Sequence, residues 1–293
     1  MTALTQPARL KKGDTVALLS PSGPCDMSRI EPAALALEGF GFRPQVMESC
    51  RSCHGYLAGT DAIRAKDIME AFINPAIKGI FALRGGYGAA RLLPLLDYGR
   101  IGKHPKIFAG YSDITALHTA FNQRCGFITY HAPMAGTELY MKNIDDFTLS
   151  SFLGNLMEER SPPELRYIPV IPGNVSGILT GGNLSLLISS IGTPYEINTR
   201  DKILFIEEVQ EDPYRVDRMF LQLKQAGKLN DCRAILLGSF LPETSKTISQ
   251  AIEELLVPLG KPLGIDLSCG HCLPTATLPL GAMVCMDDGR MVF

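Results

Sequence analysis

The sequence lacks any apolar run long enough to span a bilayer. Its N-terminus, Met1 to Lys12, lacks the apolar segment of a secretory signal and carries its charges after short apolar residues. These absences predict a cytoplasmic chain whose eight cysteines are mostly reduced. Charge of one sign is missing too: 28 Lys and Arg face 30 Asp and Glu, for a net charge of −2, and no long basic run occurs. Nothing therefore recommends nucleic acid or an anionic membrane surface as a partner. The dinucleotide spacing G-x-G-x-x-G is absent, and no Gly-Lys-Ser/Thr follows the glycine-rich stretch Arg84-Gly85-Gly86-Tyr87-Gly88. Neither a nucleotide cofactor nor a P-loop is expected.

What is present is apolar, alternating and long. The chain has 293 residues, 46% of them hydrophobic, which exceeds the usual size of one growing core and predicts two domains. Apolar runs at 15–20, 44–47, 80–83, 107–109 and 127–130 read as strands. Between them, 30–40, 60–72, 89–96 and 115–121 read as helices, the second capped by Thr60 or Asp61. The alternation predicts a doubly wound, mainly parallel α/β domain over 1–160. A helix is expected at 145–156, then a polar, proline-bearing break, placing a linker at 161–171. The region 172–293 reads as a smaller, β-rich α/β domain. It has strands at 175–180, 203–208 and 234–238, helices at 215–225 and 247–256, and a closing hairpin over 279–293. Gly181-Gly182-Asn183 reads as a turn feeding a short helix.

The chain is organised around Lys106 to Thr115. Ile107-Phe108-Ala109 is a buried strand, Gly110 permits a tight turn, and Asp113 and Thr115 suit a first helical turn. Ser112 then stands at a strand-to-helix turn, with backbone N–H groups converging near its hydroxyl. A serine nucleophile needs that geometry, although a helix cap would need it equally. Arg84-Gly85-Gly86 also closes a strand, and in parallel sheets ligands gather at the strands' carboxyl ends. Three constellations compete. Ser112, Glu207 or Glu208, and His271 supply nucleophile, acid and base. Cys269 and Cys272 match a redox C-x-x-C, but the prolines that follow deny it a helix. Cys50, Cys53, Cys269 and Cys272 could make a zinc site, with the two pairs separated by most of the chain.

Six stretches, in order, resemble the LD-carboxypeptidase family of serine peptidases, which includes the microcin C self-immunity proteins. They are Arg84 to Gly88, Gly110 to Thr115, Gly181 to Leu186, Ile203 to Glu208, Pro213-Tyr214-Arg215, and Gly270-His271 with Pro274, Thr277, Pro279 and Gly281. The resemblance runs almost end to end. It implies Ser112 as nucleophile, Glu207 as orienting acid, being the first acidic residue after the apolar strand, and His271 as base. It implies an oxyanion held by the N–H of Asp113 and of the Gly85-Gly86 turn, at Gly86. It implies no metal or cofactor, a homodimer, and a muropeptide substrate: hydrolysis of the L,D bond that releases terminal D-alanine from cytoplasmic tetrapeptides in peptidoglycan recycling. Cleavage of a peptidyl- or aminoacyl-nucleotide of the microcin C type is the alternative within the family. One departure is Tyr130-His131-Ala132-Pro133, where members often carry Thr-His-Gly-Pro.

Two other classes fit less well. An α/β-hydrolase esterase shares the order Ser, acid, His, but its elbow is G-x-S-x-G and position 114 is Ile. A non-enzymatic two-domain binder would have no use for a Ser–His pair. Arg84, the nearest cation to the glycine turn, is expected either to receive a substrate carboxylate or to form a structural salt bridge. A cleft between the domains is expected, lined by Arg84, Gly85, Gly86, Ser112, Glu207 and His271.

Overall fold

A computed structural model describes residues 4–241 and 248–293. The strands in chain order are β1 Thr15–Leu19, β2 Arg43–Val46, β3 Ile77–Ala82, β4 Ile107–Gly110, β5 Thr129–His131, β6 Leu165–Arg166 and β7 Ile168–Ile171. They continue with β8 Asn174–Asn183, β9 Lys202–Val209, β10 Ala234–Leu241, β11 Leu263–Ile265, β12 Leu278–Leu280, β13 Met283–Asp287 and β14 Arg290–Val292. One sheet has the order β2-β1-β3-β4-β5-β12. Its first five strands are parallel, and β12 joins antiparallel, with Leu278 opposite His131. The other has the order β6-β14-β13-β8-β9-β10-β11-β7, with β8 to β11 forming a parallel centre.

The first sheet is buried on both faces, which is why its strands read as nearly unbroken apolar runs. Side chains alternate between two cores. Ala17, Leu19, Ile80 and Phe108 meet Ile68 and Phe72 of the helix Asp61–Ile73. Val16, Leu18, Phe81 and Ile107 meet Ile30 and Leu37 of Ile30–Gly39 and Phe152 of Asp146–Leu156. The helix Asp61–Ile73 is capped by Thr60, whose hydroxyl accepts from the Ile63 N–H at 3.3 Å. The second sheet follows the same rule. Leu204, Ile206, Ile235 and Leu237 face the helix Pro213–Gln225, while Ile203, Phe205 and Leu236 face Leu278 and Leu280, toward the first domain. Full burial of Phe205 contributes about 2–3 kcal/mol of transfer free energy.

Several expectations need correction. Residues 161–171 are not a bare linker: β6 and β7 lie there, and both pair into the second sheet. Residues Ala89–Leu95 form a 3₁₀ stretch rather than an α-helix, because Pro94 sits inside it and cannot donate to an i−4 carbonyl. Gly181 and Gly182 are not a turn but the end of β8. A β-carbon at Gly181 would lie 1.8 Å from the Phe205 carbonyl oxygen, and one at Gly182 2.5 Å from Thr115 Oγ1. Gly181 thus packs on β9 of its own sheet, and Gly182 lets β8 meet the Thr115 side chain of the first domain. The hairpin spans β13 and β14 only, since Pro279 and Leu280 belong to the other sheet. Of the helix expected at 247–256, Thr247 lies outside the described residues, and the rest winds as Ser249–Ala251 and a wider turn Ile252–Leu256.

The two domains are stitched by more than β12. Thr275 N–H donates to Thr148 Oγ1 at 2.8 Å, Thr277 N–H to Ser151 Oγ at 2.9 Å, and Asn183 N–H to Thr115 Oγ1 at 3.0 Å. Among the described residues no helix is long and apolar enough to cross a membrane.

Candidate active site

At the end of β4 the backbone passes through an extended Tyr111 into Ser112, whose φ is +65°. A non-glycine residue in this left-handed region costs about 1–2 kcal/mol. The expected turn is therefore real, but the unusual backbone falls on Ser112 and not on Gly110. Gly110 is needed for packing: a β-carbon there would come 2.9 Å from Ala82 Cβ. Buried groups hold the turn. The Gly110 carbonyl accepts from Ala132 N–H at 3.1 Å and from His118 Nε2 at 2.8 Å. Burial pulls the His118 pKa down to about 4, so the ring is neutral and its proton lies on Nε2. The Asp113 side chain, only 2% exposed, turns away from the cleft. Its Oδ2 accepts from Ser22 Oγ at 2.6 Å and from Ala89 N–H at 2.8 Å.

The glycine loop lies against the serine. A β-carbon at Gly85 would sit 3.1 Å from Ser112 Cβ and 3.2 Å from its Oγ, so any larger residue would crowd the hydroxyl. Gly86 and Gly88 have φ of +114° and +123°. Arg84 donates from Nη1 to the Pro24 carbonyl at 2.9 Å and forms no ion pair among the described residues. The salt-bridge alternative for Arg84 thus finds no carboxylate among the described residues.

The strand β9 places the two glutamates on opposite faces by parity. Glu207 follows Ile203 and Phe205 onto the face toward the first domain; Glu208 follows Leu204 and Ile206 onto the other. Glu208 is occupied there. It accepts from Asn183 Nδ2 at 2.8 Å, from Ser185 N–H and Oγ at 2.7 Å each, and from Val209 N–H at 2.8 Å. Glu207 is fully buried, with Oε2 2.7 Å from His271 Nδ1. Gly270 (φ +112°) makes this approach possible, since a β-carbon there would meet Glu207 Oε2 at 2.7 Å. With Nδ1 engaged, Nε2 is the nitrogen left to take a proton. The Tyr111 ring meets the imidazole edge-to-face, centroids 4.7 Å apart, and its hydroxyl donates to Glu138 Oε1 at 2.7 Å.

Ser112 and His271 open into one cleft of about 550 Å³, with Arg84, Gly85, Gly86 and Arg29 on its walls. Glu207 lies behind it and reaches it only through the imidazole. Burial pulls the His271 pKa down, but its hydrogen bond to Glu207 and the charges of Glu207, Glu208 and Glu138 outweigh this and raise it. Only the neutral ring can accept a proton from Ser112. The kcat/KM profile should therefore climb with pH along a limb displaced above the ordinary imidazole range. A limb below that range would contradict the pairing of His271 with Glu207.

The cysteines do not converge. Among the described residues no group of three or more His, Cys, Asp or Glu side chains is arranged to hold a metal, so Cys50, Cys53, Cys269 and Cys272 make no zinc site. All eight thiols are free. Cys269 is buried and donates to the Ala276 carbonyl, and burial pushes the thiol of Cys50 up to about 12. Replacing Cys269 and Cys272 together by alanine should retain most activity, and EDTA should leave the wild type unchanged. Loss on chelation, restored by zinc, would contradict this.

Sequence reasoning missed Arg64, Ser22, Tyr111 and Glu138. Arg64 left one readable signal, an arginine on the apolar stripe of an amphipathic helix. The others are joined only by long-range contacts.

An acid–imidazole pair facing a serine on a strained strand–helix turn, across two α/β domains, defines a serine hydrolase. Comparison with known proteins narrows the class. Residues 16–132 match the LD-carboxypeptidase N-terminal domain and residues 176–286 the LD-carboxypeptidase C-terminal domain. The chain belongs to the LD-carboxypeptidase family and is a serine-type carboxypeptidase. It is 40% identical to a Bacillus subtilis protein named "Probable murein peptide carboxypeptidase" over 97% of this chain and 92% of that one. It is 30% identical to the murein tetrapeptide carboxypeptidase of Pseudomonas aeruginosa, over 94% of each. Among solved structures, a muramoyltetrapeptide carboxypeptidase from Oxalobacter formigenes superposes with a TM-score of 0.86 at 31% identity, over 94% of this chain and 97% of that one. An MccF-like protein from Bacillus anthracis superposes with a TM-score of 0.89 at 27% identity, over 98% of each.

Proposed function

We propose that this enzyme releases terminal D-alanine from muropeptide tetrapeptides by hydrolysing the L,D peptide bond. The observation that carries the proposal is the 2.7 Å contact between Glu207 and His271, whose ring opens into the cleft that Ser112 also lines. His271 takes the Ser112 proton as Oγ attacks the scissile carbonyl, and Glu207 holds the ring in the tautomer that leaves Nε2 free. The N–H groups of Gly86 and Asp113 receive the oxyanion. Collapse expels D-alanine, whose amine takes the proton from His271. Water then repeats the cycle on the acyl-Ser112 ester. No step calls for a metal or cofactor. The reading places the protein in the cytoplasm, in peptidoglycan recycling, and as a homodimer. The net charge of −2 gives no support for a nucleic-acid role.

The test is mass spectrometry of a free tetrapeptide ending in D-alanine. Loss of one alanine supports the proposal; an intact tetrapeptide beside cleavage of an aminoacyl sulfamoyl nucleoside would replace it with the second reading. That second reading has a specific basis, the TM-score of 0.87 to MccF in complex with glutamyl sulfamoyl guanosine, at 26% identity.

Arg84 is the proposed receiver of the substrate's carboxylate, with Gly85 leaving room beside it. Arg84→Lys loses the planar, bidentate fork. KM should rise about tenfold for a free-carboxylate substrate and change little for its amide. Equal changes for both would remove Arg84 from substrate binding.

A further inference from the structure

The side chain of Arg64 is fully buried, in a helix whose first turn starts two loops away from the serine. A buried guanidinium is costly unless its donors are used. Here Nη1 donates to the Pro21 carbonyl and, at 2.9 Å, to the Gly88 carbonyl, and Nη2 donates to Asp61 Oδ1, while the buried Nε finds no partner among the described residues. Pro21 lies in the loop after β1, and Gly88 closes the glycine loop after β3. The same two loops meet again at Asp113, which takes Ser22 Oγ from one and Ala89 N–H from the other. A third tie runs between them, Gly23 N–H to the Gly85 carbonyl at 3.2 Å. Gly88 leaves room for the arginine and for Leu57: a β-carbon there would fall 2.8 Å from Arg64 Nη1 and 2.5 Å from Leu57 Cδ2. The segment from Gly85 to Ala89 is thus pinned at both ends, with Gly86 and the exposed Tyr87 between the pins.

We infer that Arg64 is a positioning residue for catalysis: its buried fork fixes the Gly85–Gly88 loop so that the Gly86 N–H points at the oxyanion formed on Ser112. This rests on the assignment of Gly86 to the oxyanion site. Arg64 touches neither substrate nor reacting atoms, and it acts through the loop. Misplacing a donor by about 1 Å costs on the order of a hundredfold in rate, whereas ground-state binding through the cleft walls is left intact. Arg64→Lys supplies one ammonium where two directed nitrogens stood, and should fold because the positive charge near Asp61 remains.

The experiment measures kcat and KM on the tetrapeptide and the rate of Ser112 phosphonylation by a fluorophosphonate, which needs the oxyanion donors but not the natural substrate. For Arg64→Lys, kcat and the phosphonylation rate should each fall about ten- to a hundredfold, with KM within about threefold. For Arg64→Ala, added guanidinium at non-denaturing millimolar concentration should restore at least tenfold of the lost rate. Asp61→Asn, at a half-buried position that lets the protein fold, should show a weaker fall in both rates, because it loosens Nη2. Unchanged kcat and phosphonylation in Arg64→Lys and Asp61→Asn would overturn the inference. So would a rise in KM with kcat intact, or a loss that follows unfolding and resists guanidinium. If the wild type is phosphonylated but spares the tetrapeptide, the substrate assignment fails while the phosphonylation rates still judge Arg64. If the wild type is not phosphonylated, both fail.

Discussion

Ser112→Ala should lower turnover by about 10⁶-fold while the protein remains folded. The size follows from the triad acting as a unit: without the hydroxyl, His271 and Glu207 have nothing to activate. Stability should hardly move, because Ser112 lines the cleft and a hydroxyl at a helix start contributes only about 1 kcal/mol. Ser112→Gly separates the two roles of the position more sharply. Relief of the left-handed φ of +65° is worth about 1–2 kcal/mol. The extra chain entropy of glycine takes back about 0.5–1 kcal/mol. The glycine variant should therefore be inactive yet slightly more stable. Single-turnover kinetics and a denaturant titration would check both. Peptidase activity near normal in Ser112→Ala would sink the nucleophile assignment.

Glu207→Gln should lower kcat by about 10⁴-fold. The buried amide can present N–H toward His271 Nδ1, which forces the ring proton onto Nε2 and leaves no base facing the serine. The acid limb should also move down, because the anion that raises the His271 pKa is gone. The neighbouring glutamate gives the contrast. Glu208 accepts from Asn183, Ser185 and Val209, and an amide there sets donor against donor. Glu208→Gln should cost about 2–3 kcal/mol of stability, read as a lower melting temperature, with the remaining folded enzyme still active. If the two variants exchanged phenotypes, the choice of Glu207 would be wrong.

The parts of this site that the sequence could reveal are those built from local pattern. An apolar strand, a turn and a helix start made Ser112 legible, and the apolar run over 203–206 announced an acidic strand end. Period-two alternation on β9 separates Glu207 from Glu208 physically, but it needs to be known which face meets the other domain. That fact lies in β12, a three-residue strand supplied from 278–280 to the sheet begun at residue 15. No local signal records such a return, so residues 279–293 read as one hairpin. The linker differs for a similar reason: β6 and β7 are short, β7 contains Pro169, and they become strands only because β14 and β11 lie beside them. Asp113 read as a helix-start residue from its neighbours. Its partners Ser22 and Ala89 are distant in sequence, so its bridging of two loops was invisible.

The placement of β12 has a consequence for how the protein is made. A ribosome delivers β12 only after β6 to β11 have been made. Until then β5, and with it the strand end at His131 beside Tyr111, presents an unpaired edge. His271 also arrives late, nine residues before Leu280. A nascent first domain carries its serine without a base to activate it while β6 to β11 are made. Competence and closure of the sheet should thus appear almost together. A chain stalled or clipped before residue 278 would be left with an open strand edge, which favours association with other chains over hydrolysis.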